Sequence, residues 1–168
     1  MSIPNFKRIV KNSHPAIKVN NNGPSSVKVS VGNNASYVTV RPNNNRPGHL
    51  NISAIATDPN YEGKGLAGYI TALVVRAAKN AGFKSAGGMS IHITFNKNNE
   101  NRARKSVWPI SSYIFSRLGF QKLLVQGKPG VYKVTNANRH RVTWNINLDK
   151  NIPKVNEKLR GNNKLIGK

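Results

Sequence analysis

Two glycines near the middle of the chain, Gly63 and Gly65, have the spacing of a loop that binds an anion. Glycines at alternate positions let the backbone turn sharply and approach a ligand closely. Apolar residues recur at helical spacing from Leu66 to Ala78, which predicts a helix that begins directly after the loop and stops at Gly82. A helix start presents unpaired N–H groups and a positive dipole end. We therefore predict a phosphate or pyrophosphate site here; alternatively, the glycines serve only the geometry of the turn.

Two common phosphate-binding motifs do not fit this loop. The Walker motif requires Ser or Thr after Gly-Lys, whereas Gly65 follows Gly63-Lys64 here. The dinucleotide fingerprint requires three glycines in fixed register and an acidic residue about 20 positions later, and residues 81–85 contain no acid. Neither of these two motifs is therefore expected here.

The loop and its helix are predicted to connect two parallel strands. Residues 49–57 alternate between polar and apolar side chains and then become small and apolar, which indicates a central strand. Residues 90–95 read as the next strand. A strand, a helix and a second strand form a crossover unit, which places both strands parallel in one sheet.

Further elements are predicted on both sides of this unit. Residues 26–31 and 37–40 alternate on either side of a polar turn, which predicts an antiparallel hairpin. Trp108-Pro109 is predicted to open a second helix that ends at Gly119. Two more strands are expected at residues 130–135 and 139–148.

The composition favours one domain with basic ends. A length of 168 residues suits a single core, which we place at residues 25–148. We expect residues 1–24 to form a basic arm and residues 149–168 a mobile basic tail. No apolar run approaches the length of a membrane span, so we expect a cytoplasmic or nucleoid-associated protein, or one packaged in a virion. The absence of cysteine excludes disulfides and thiolate chemistry.

The net charge of +22, from 27 Lys and Arg against 5 Asp and Glu, favours a polyanionic partner. We predict that this partner is nucleic acid, either DNA or RNA; the alternatives are a merely soluble basic surface or a codon bias toward Lys and Asn. Basic residues beside an aromatic side chain suit phosphate contacts and base stacking, although the same cluster would also suit a solvated loop. The residues predicted to contact nucleic acid are Arg102, Arg104, Lys105, Trp108, Arg139 and Arg141.

The residues around the glycine loop resemble the central motif of the GNAT superfamily of acyltransferases. That motif reads Gln or Arg, two residues, Gly, one residue, and Gly or Ala, directly after a strand that ends in small apolar residues. Residues 55–67 match it without a gap, with Asn60 in place of Gln or Arg and Glu62 where Arg is frequent. The family's later helix typically ends in Leu-Gly-Phe, as Leu118-Gly119-Phe120 does here. The resemblance implies an α/β fold with a mixed, centrally splayed sheet flanked by helices. The family's usual pair of N-terminal helices is absent or reduced in this sequence.

The resemblance also implies how acetyl-CoA, or another acyl-CoA, binds as cosubstrate. Its pyrophosphate is expected on the loop N–H groups, and its pantetheine arm is expected to pair with the central strand like an extra strand. The acyl group passes directly to an amine, so neither a metal nor a covalent enzyme intermediate is expected. The residues expected to contact the cosubstrate are Ile55, Thr57, Tyr61, Glu62, Gly63, Lys64, Gly65, Leu66, Ala67, Asn101 and Phe115.

The residues that would move protons depart from the family pattern. Several members carry a Glu on the central strand as general base, and His49 occupies that place. A histidine with its usual pKa of about 6.5 can accept a proton near neutral pH; alternatively, His49 is an ordinary strand-edge residue. Many members use a Tyr as the acid four residues before the Gly of Leu-Gly-Phe, and this chain has Phe115 there. Tyr113 is the candidate substitute; alternatively, it is a packing tyrosine.

Two main functions are therefore predicted. The first is an acyl-CoA-dependent N-acyltransferase that acts on or near nucleic acid. The second is a catalytically silent basic protein of the same fold that binds or packages nucleic acid in a virion or a ribonucleoprotein particle. A third possibility is an acyltransferase for a small amine, for which the charge would be incidental.

Overall fold

The computed structural model describes residues 2–92, 110–126 and 140–161. A short 3-10 turn, Pro59–Tyr61, precedes the second of the helices. In chain order, the helices and strands are α1 (Ile3–Lys11), β1 (Ile17–Asn21), β2 (Val27–Val31), β3 (Ser36–Pro42), β4 (His49–Thr57), α2 (Leu66–Asn80), β5 (Ser85–His92), α3 (Ile110–Arg117), β6 (Gln121–Gln126), β7 (His140–Asn147) and α4 (Pro153–Gly161).

The strands form one mixed sheet in the order β1-β2-β3-β4-β5-β7-β6. β4 and β5 are parallel and are joined through α2, whereas all the other neighbouring strands are antiparallel. The predicted crossover unit, the predicted hairpin (β2 and β3) and the helix after the glycine loop are thereby confirmed.

The sheet opens between its two parallel strands. β4 pairs with β5 only from His49 to Ile52, while β5 continues to pair with β7 as far as His92. On its other edge, β4 contains a bulge: Val40 pairs with Ile52 and Thr39 with Ala54, so Ser53 is the extra residue. Residues 53–57 therefore have no β5 partner, which confirms the predicted central splay.

The four helices lie together on one face of the sheet. α2 contacts strands β2 to β5, and α1, α3 and α4 each contact α2. Eleven of the 15 residues of α2 are buried, because the sheet covers one side of this helix and its neighbours cover the flanks. The sheet side of this core contains Val29, Val38, Val40 and Leu50, all fully buried.

The structure differs from the expected arm and tail at the two ends of the chain. Residues 3–11 form α1, in which Phe6 and Val10 are fully buried. Residues 153–161 form α4, in which Val155 and Leu159 are buried. Each helix has two apolar residues four apart, which lie on one side of a helix. The Lys, Arg and Asn residues around them made this pattern hard to recognise in the sequence. The domain boundaries expected at 24/25 and 148/149 therefore separate packed helices from the core.

β5 begins at Ser85, five residues before the predicted strand start at Ser90. The strand start was predicted too late because Gly87-Gly88 is typical of a loop. In the structure, these two glycines instead allow neighbouring backbones to pack closely. A Cβ at Gly87 would lie 2.3 Å from the carbonyl oxygen of Trp144, and one at Gly88 would lie 2.7 Å from that of Ile52.

Two of the remaining predicted elements are present in the structure. β7 corresponds to the strand predicted at residues 139–148, and α3 to the second helix, whose predicted start at Trp108-Pro109 lies outside the described residues. The strand predicted at residues 130–135 also lies outside them. Within the described part of the chain, no helix has the length and apolar character needed to cross a membrane.

Candidate active site

The glycine loop has the backbone that an anion site requires. Gly63 and Gly65 have φ angles of 75° and 77°, in the left-handed region that favours glycine. Gly65 is the N-cap of α2, and no side chain caps the first turn of this helix. A Cβ at Gly63 would have no neighbour within 4 Å. The first turn of α2 thus has no side-chain cap, and the space beside Gly63 is open, as an anion site at a helix start requires.

A cavity of about 730 Å³ lies beside this loop. Its floor is the start of α2, and its walls come from α3 and α4. Its charged residues are Arg117, Lys154 and Lys158, against Glu62 and Glu157. The other lining residues are Thr57, Tyr61, Gly63, Gly65, Leu66, Ala67, Gly68, Tyr113, Ile114, Leu118 and Gly161.

Helix α4 brings a lysine against the first turn of α2. A Cβ at Gly68 would lie 3.1 Å from Cε and 3.7 Å from Nζ of Lys158. Gly68 therefore leaves the space in which the Lys158 side chain lies, close to the N–H groups of the loop. Sequence reasoning missed Lys154 and Lys158 because it treated this segment as a tail. The only signal in the sequence is the pair Val155 and Leu159 after Pro153, which is too short to distinguish a docked helix from a tail.

The open edge of β4 continues the cavity toward the sheet. Thr57 lines the cavity at the end of β4, and residues 53–57 have no β5 partner. Backbone N–H and C=O groups without a strand partner can pair with an extended ligand that carries amide groups. The cavity and this edge together join the start of α2 to the splayed end of β4.

Most of the predicted cosubstrate contacts meet at this cavity. Seven of them line it: Thr57, Tyr61, Glu62, Gly63, Gly65, Leu66 and Ala67. Lys64 does not line it; its ammonium lies 4.8 Å from the centre of the Tyr61 ring. Ile55 lies in the splayed part of β4 and packs against the core.

Phe115 does not line the cavity. It is 1% exposed, and its ring packs against Phe120 at 4.7 Å and Trp144 at 6.1 Å between ring centroids. Gly88 is its neighbour at the point where β4 and β5 separate. The structure therefore gives Phe115 a core position beneath the splay rather than the predicted contact surface.

Tyr113 is 59% exposed and lines the cavity, with the guanidinium of Arg117 5.1 Å from its ring centre. Most of the Tyr113 side chain therefore lies outside the core, at the cavity. Its role as proton donor stays a prediction.

His49 lies at the opposite end of β4 from the glycine loop and is 7% exposed. Its Nδ1 lies 2.8 Å from the Ser85 hydroxyl oxygen. Burial lowers the pKa of His49, and the charge of Arg46 lowers it further. The neutral imidazole is thus favoured and can accept a proton. His49 is four residues from Ser53, however, or about 13 Å along a strand, so a role as base at the splay requires a water relay.

The lowered pKa of His49 predicts a pH dependence of stability. A folded-state pKa below the unfolded value makes the unfolded state bind more protons, so stability from this group is present above about pH 6.5 and is lost as the pH falls below it. The variant His49→Asn should lose less stability than the wild type between pH 7.5 and pH 5.5. Urea unfolding at both pH values measures this difference, and equal losses would show that His49 does not titrate differently on folding.

The other predicted contacts fall on residues or side chains that the structure does not describe. Asn101 and the predicted nucleic-acid contacts Arg102, Arg104, Lys105, Trp108 and Arg139 lie outside the described residues. Arg141 lies in β7, and its side chain is not described.

The comparison with known proteins agrees with this architecture. The profile of the GNAT acetyltransferase family matches residues 12–103, which is more than half of the chain. The chain therefore belongs to the GNAT family, and acetyltransferases of this family use acetyl-CoA as cosubstrate. No curated protein sequence matches the chain.

Solved structures with the same fold are distant in sequence. A candidate GNAT acetyltransferase from Desulfovibrio desulfuricans is 16% identical, with a TM-score of 0.55 over 74% of this chain and 70% of that one. The ribosomal-protein-S18-alanine N-acetyltransferase from Escherichia coli is 11% identical, with a TM-score of 0.52 over 84% and 76%. A candidate streptothricin acetyltransferase from Bacillus anthracis, solved with acetyl-CoA, is 15% identical, with a TM-score of 0.53 over 75% and 65%.

Proposed function

We propose that this protein is an acyl-CoA-dependent N-acyltransferase that uses acetyl-CoA and acts on an amine carried on or near nucleic acid. The observation that carries the proposal is the junction of two features. The glycine loop at the start of α2 opens into a cavity of about 730 Å³, and this cavity meets the splayed edge of β4 at Thr57. A ligand with phosphates at one end and amides along an arm matches both features.

The phosphates of acetyl-CoA would bind at the start of α2. The N–H groups of residues 63–67 supply hydrogen-bond donors, and Lys158 adds a positive charge beside the same turn. Arg117 and Lys154 line the same cavity and extend the positive charge away from β4. The amides of the pantetheine arm would pair with the backbone of residues 53–57 and bring the thioester to the splay.

The transfer needs little chemistry from the side chains. The amine nitrogen bonds to the acyl carbon as the carbon–sulfur bond breaks, the amine loses a proton and the thiolate gains one. His49 is the candidate acceptor for the first proton, through water, and Tyr113 is the candidate donor of the second. Positioning on the loop and strand would provide most of the rate enhancement.

The nucleic-acid part of the proposal rests on charge. A net charge of +22 produces a field that attracts polyanions and accelerates their association. An acceptor presented by such a polyanion would be concentrated at the protein surface.

Titration with acetyl-CoA and with S-acetylpantetheine, which lacks the phosphates, tests the cosubstrate site by calorimetry and transfer kinetics. The wild type should bind acetyl-CoA. In the variant Lys158→Met, the affinity for acetyl-CoA should fall about tenfold, the loss expected for one charge-assisted phosphate contact. The value of kcat/KM for S-acetylpantetheine should not change.

Lys150→Met is the matched control, because Lys150 is exposed and does not line the cavity. If Lys158→Met weakened the use of acetyl-CoA and of S-acetylpantetheine equally, Lys158 would not act on the phosphates. If the wild type does not bind millimolar acetyl-CoA, the enzyme proposal fails. The silent basic protein would then be favoured, and Phe115 in place of the usual Tyr is the observation on its side.

A further inference from the structure

The face of the sheet opposite the helices carries polar and basic side chains. Strand pairing places Lys18 opposite Ser30, Ser30 opposite Tyr37, Lys28 opposite Thr39 and Arg41 opposite Asn51. Paired residues point to the same face of a sheet. We call the surface formed by Lys18, Lys28, Tyr37, Arg41 and Ser53 the open face. In the described part of the chain the other three helices all contact α2, and none covers this surface.

The charge on the open face has one sign. Lys18 and Arg41 are exposed and Lys28 is half-buried. The chain has 5 acidic residues, and none of those within the described residues lies on this face. Asp58 and Glu62 follow β4, Asp149 pairs with Lys84 at 3.1 Å, and Glu157 is on α4. Among the described residues, no acid therefore offsets the positive charge of the open face.

The connection between β1 and β2 shapes a second cavity on this face. Only residues 22–26 join the two strands, and no helix lies between them. This turn borders a cavity of about 480 Å³ that also contacts Lys28, Arg41, Ser53 and Ala54. Ser53 is the bulge residue at which β4 parts from β5. The cavity thus reaches the splay from the side opposite the glycine loop.

An aromatic ring stands among the cations of the open face. The ammonium of Lys28 lies 4.1 Å from the centre of the Tyr37 ring, and the hydroxyl of Ser53 donates to the carbonyl oxygen of Thr39 at 3.2 Å. Single-stranded nucleic acid binds where cations contact successive phosphates and an aromatic ring stacks on a base. An acidic protein would use the cations but gain little from the ring.

We propose that the open face binds single-stranded nucleic acid and presents the acceptor amine to the cavity at the β4 bulge. This inference rests on the proposed function for the identity of the acceptor, but the binding surface is independent of it. Lys18, Lys28 and Arg41 lie on three neighbouring strands and follow a diagonal, with about 8 Å between successive positions, so they contact successive phosphates of one strand. The short β1–β2 turn leaves the surface wide enough for a polymer.

The test compares two triple variants with the same change in charge. The open-face variant is Lys18→Gln, Lys28→Gln and Arg41→Gln. The control is Arg8→Gln, Lys11→Gln and Lys150→Gln, three exposed positions on the helix side. Affinity for single-stranded DNA and RNA 20-mers of mixed sequence is measured by fluorescence anisotropy over a range of salt. Losing three phosphate contacts should reduce the salt slope by about 2 and the affinity on the order of 100-fold at 0.1 M salt.

The control variant should lose far less affinity and slope than the open-face variant. Equal losses in the two variants would overturn the proposal, since binding would then follow net charge alone; so would a wild type that binds neither oligonucleotide. Acetyl-CoA titration of both variants keeps the two proposals separable. If the open-face variant loses oligonucleotide binding but still binds acetyl-CoA, the open face is the nucleic-acid-binding surface. If none of the proteins binds acetyl-CoA, the enzyme proposal is refuted, but the proposal of a nucleic-acid-binding surface is not affected.

Discussion

Replacing Gly63 with glutamate is expected to eliminate the thermal stabilisation that acetyl-CoA gives to this protein. At a ligand concentration 100 times Kd, binding stabilises the folded state by about 2.7 kcal/mol. For a chain of 168 residues, that corresponds to a rise in Tm of roughly 5–10 °C. The Gly63→Glu variant should show almost no rise under the same conditions, which corresponds to a loss of affinity of at least about 100-fold.

The reason is the position of the new carboxylate. Position 63 has no neighbour within 4 Å of a Cβ, so the folded chain has room for the side chain. The side chain would nevertheless lie where the loop N–H groups meet a phosphate, and its negative charge would repel that phosphate. The φ angle at position 63 is 75°, in the left-handed region, so a side chain there adds a backbone strain of about 1 kcal/mol. The substitution should therefore mainly reduce the affinity for acetyl-CoA and should reduce the stability of the free protein only slightly.

Gly23→Glu is the matched control for this experiment. Gly23 also has a positive φ, 114°, and no neighbour within 4 Å of a Cβ. It lies in the β1–β2 turn, on the far side of the sheet from the glycine loop. Differential scanning fluorimetry with and without acetyl-CoA should give the wild-type shift for this variant. A Gly63→Glu variant that keeps the full shift would show that the phosphates do not bind at the loop.

The glycine loop and the helix after it could be predicted from the sequence because their determinants are local. Gly63 and Gly65 set the backbone angles of the loop, and the apolar spacing after Leu66 sets the helix. Parallel pairing of β4 and β5 then follows from the handedness of the crossover. None of these steps needs knowledge of distant residues.

The other wall of the cavity could not be predicted because it depends on tertiary packing. Lys154 and Lys158 reach the cavity only because α4 returns from the far end of the chain to lie against α2, and Arg117 reaches it from α3. Two buried residues, Val155 and Leu159, hold α4 in place, and a pattern of two apolar positions is too short to separate a docked helix from a solvated tail. The same limit applies to α1.

The open face depends on sheet topology in the same way. Lys18, Lys28 and Arg41 are scattered along the first quarter of the chain, where they look like isolated basic residues. Antiparallel pairing of three strands places them on one surface. The sequence indicated instead the basic run around Arg102 and Lys105, because clustering along the chain is the only clustering that a sequence displays.

The packing of α1 leads to the largest expected effect on stability. Phe6 is fully buried, and its ring meets that of Phe83 edge to face, with 6.4 Å between the centroids. Truncation of such a residue removes its apolar burial and leaves a cavity. Phe6→Ala should therefore lower the free energy of unfolding by about 3–5 kcal/mol, which is a large part of the stability of an ordinary domain.

Urea unfolding of Phe6→Ala, beside Lys11→Ala as the control, measures this effect. Lys11 is exposed at the end of the same helix, so its truncation should change the free energy of unfolding by less than about 0.5 kcal/mol. If residues 1–24 were a loosely attached arm, both variants would unfold at the wild-type midpoint. A large effect of Phe6→Ala alone would show that α1 is part of the folding unit. Since α1 packs on α2, whose first turn is the proposed phosphate site, the same variant should also weaken acetyl-CoA binding as its fold loosens.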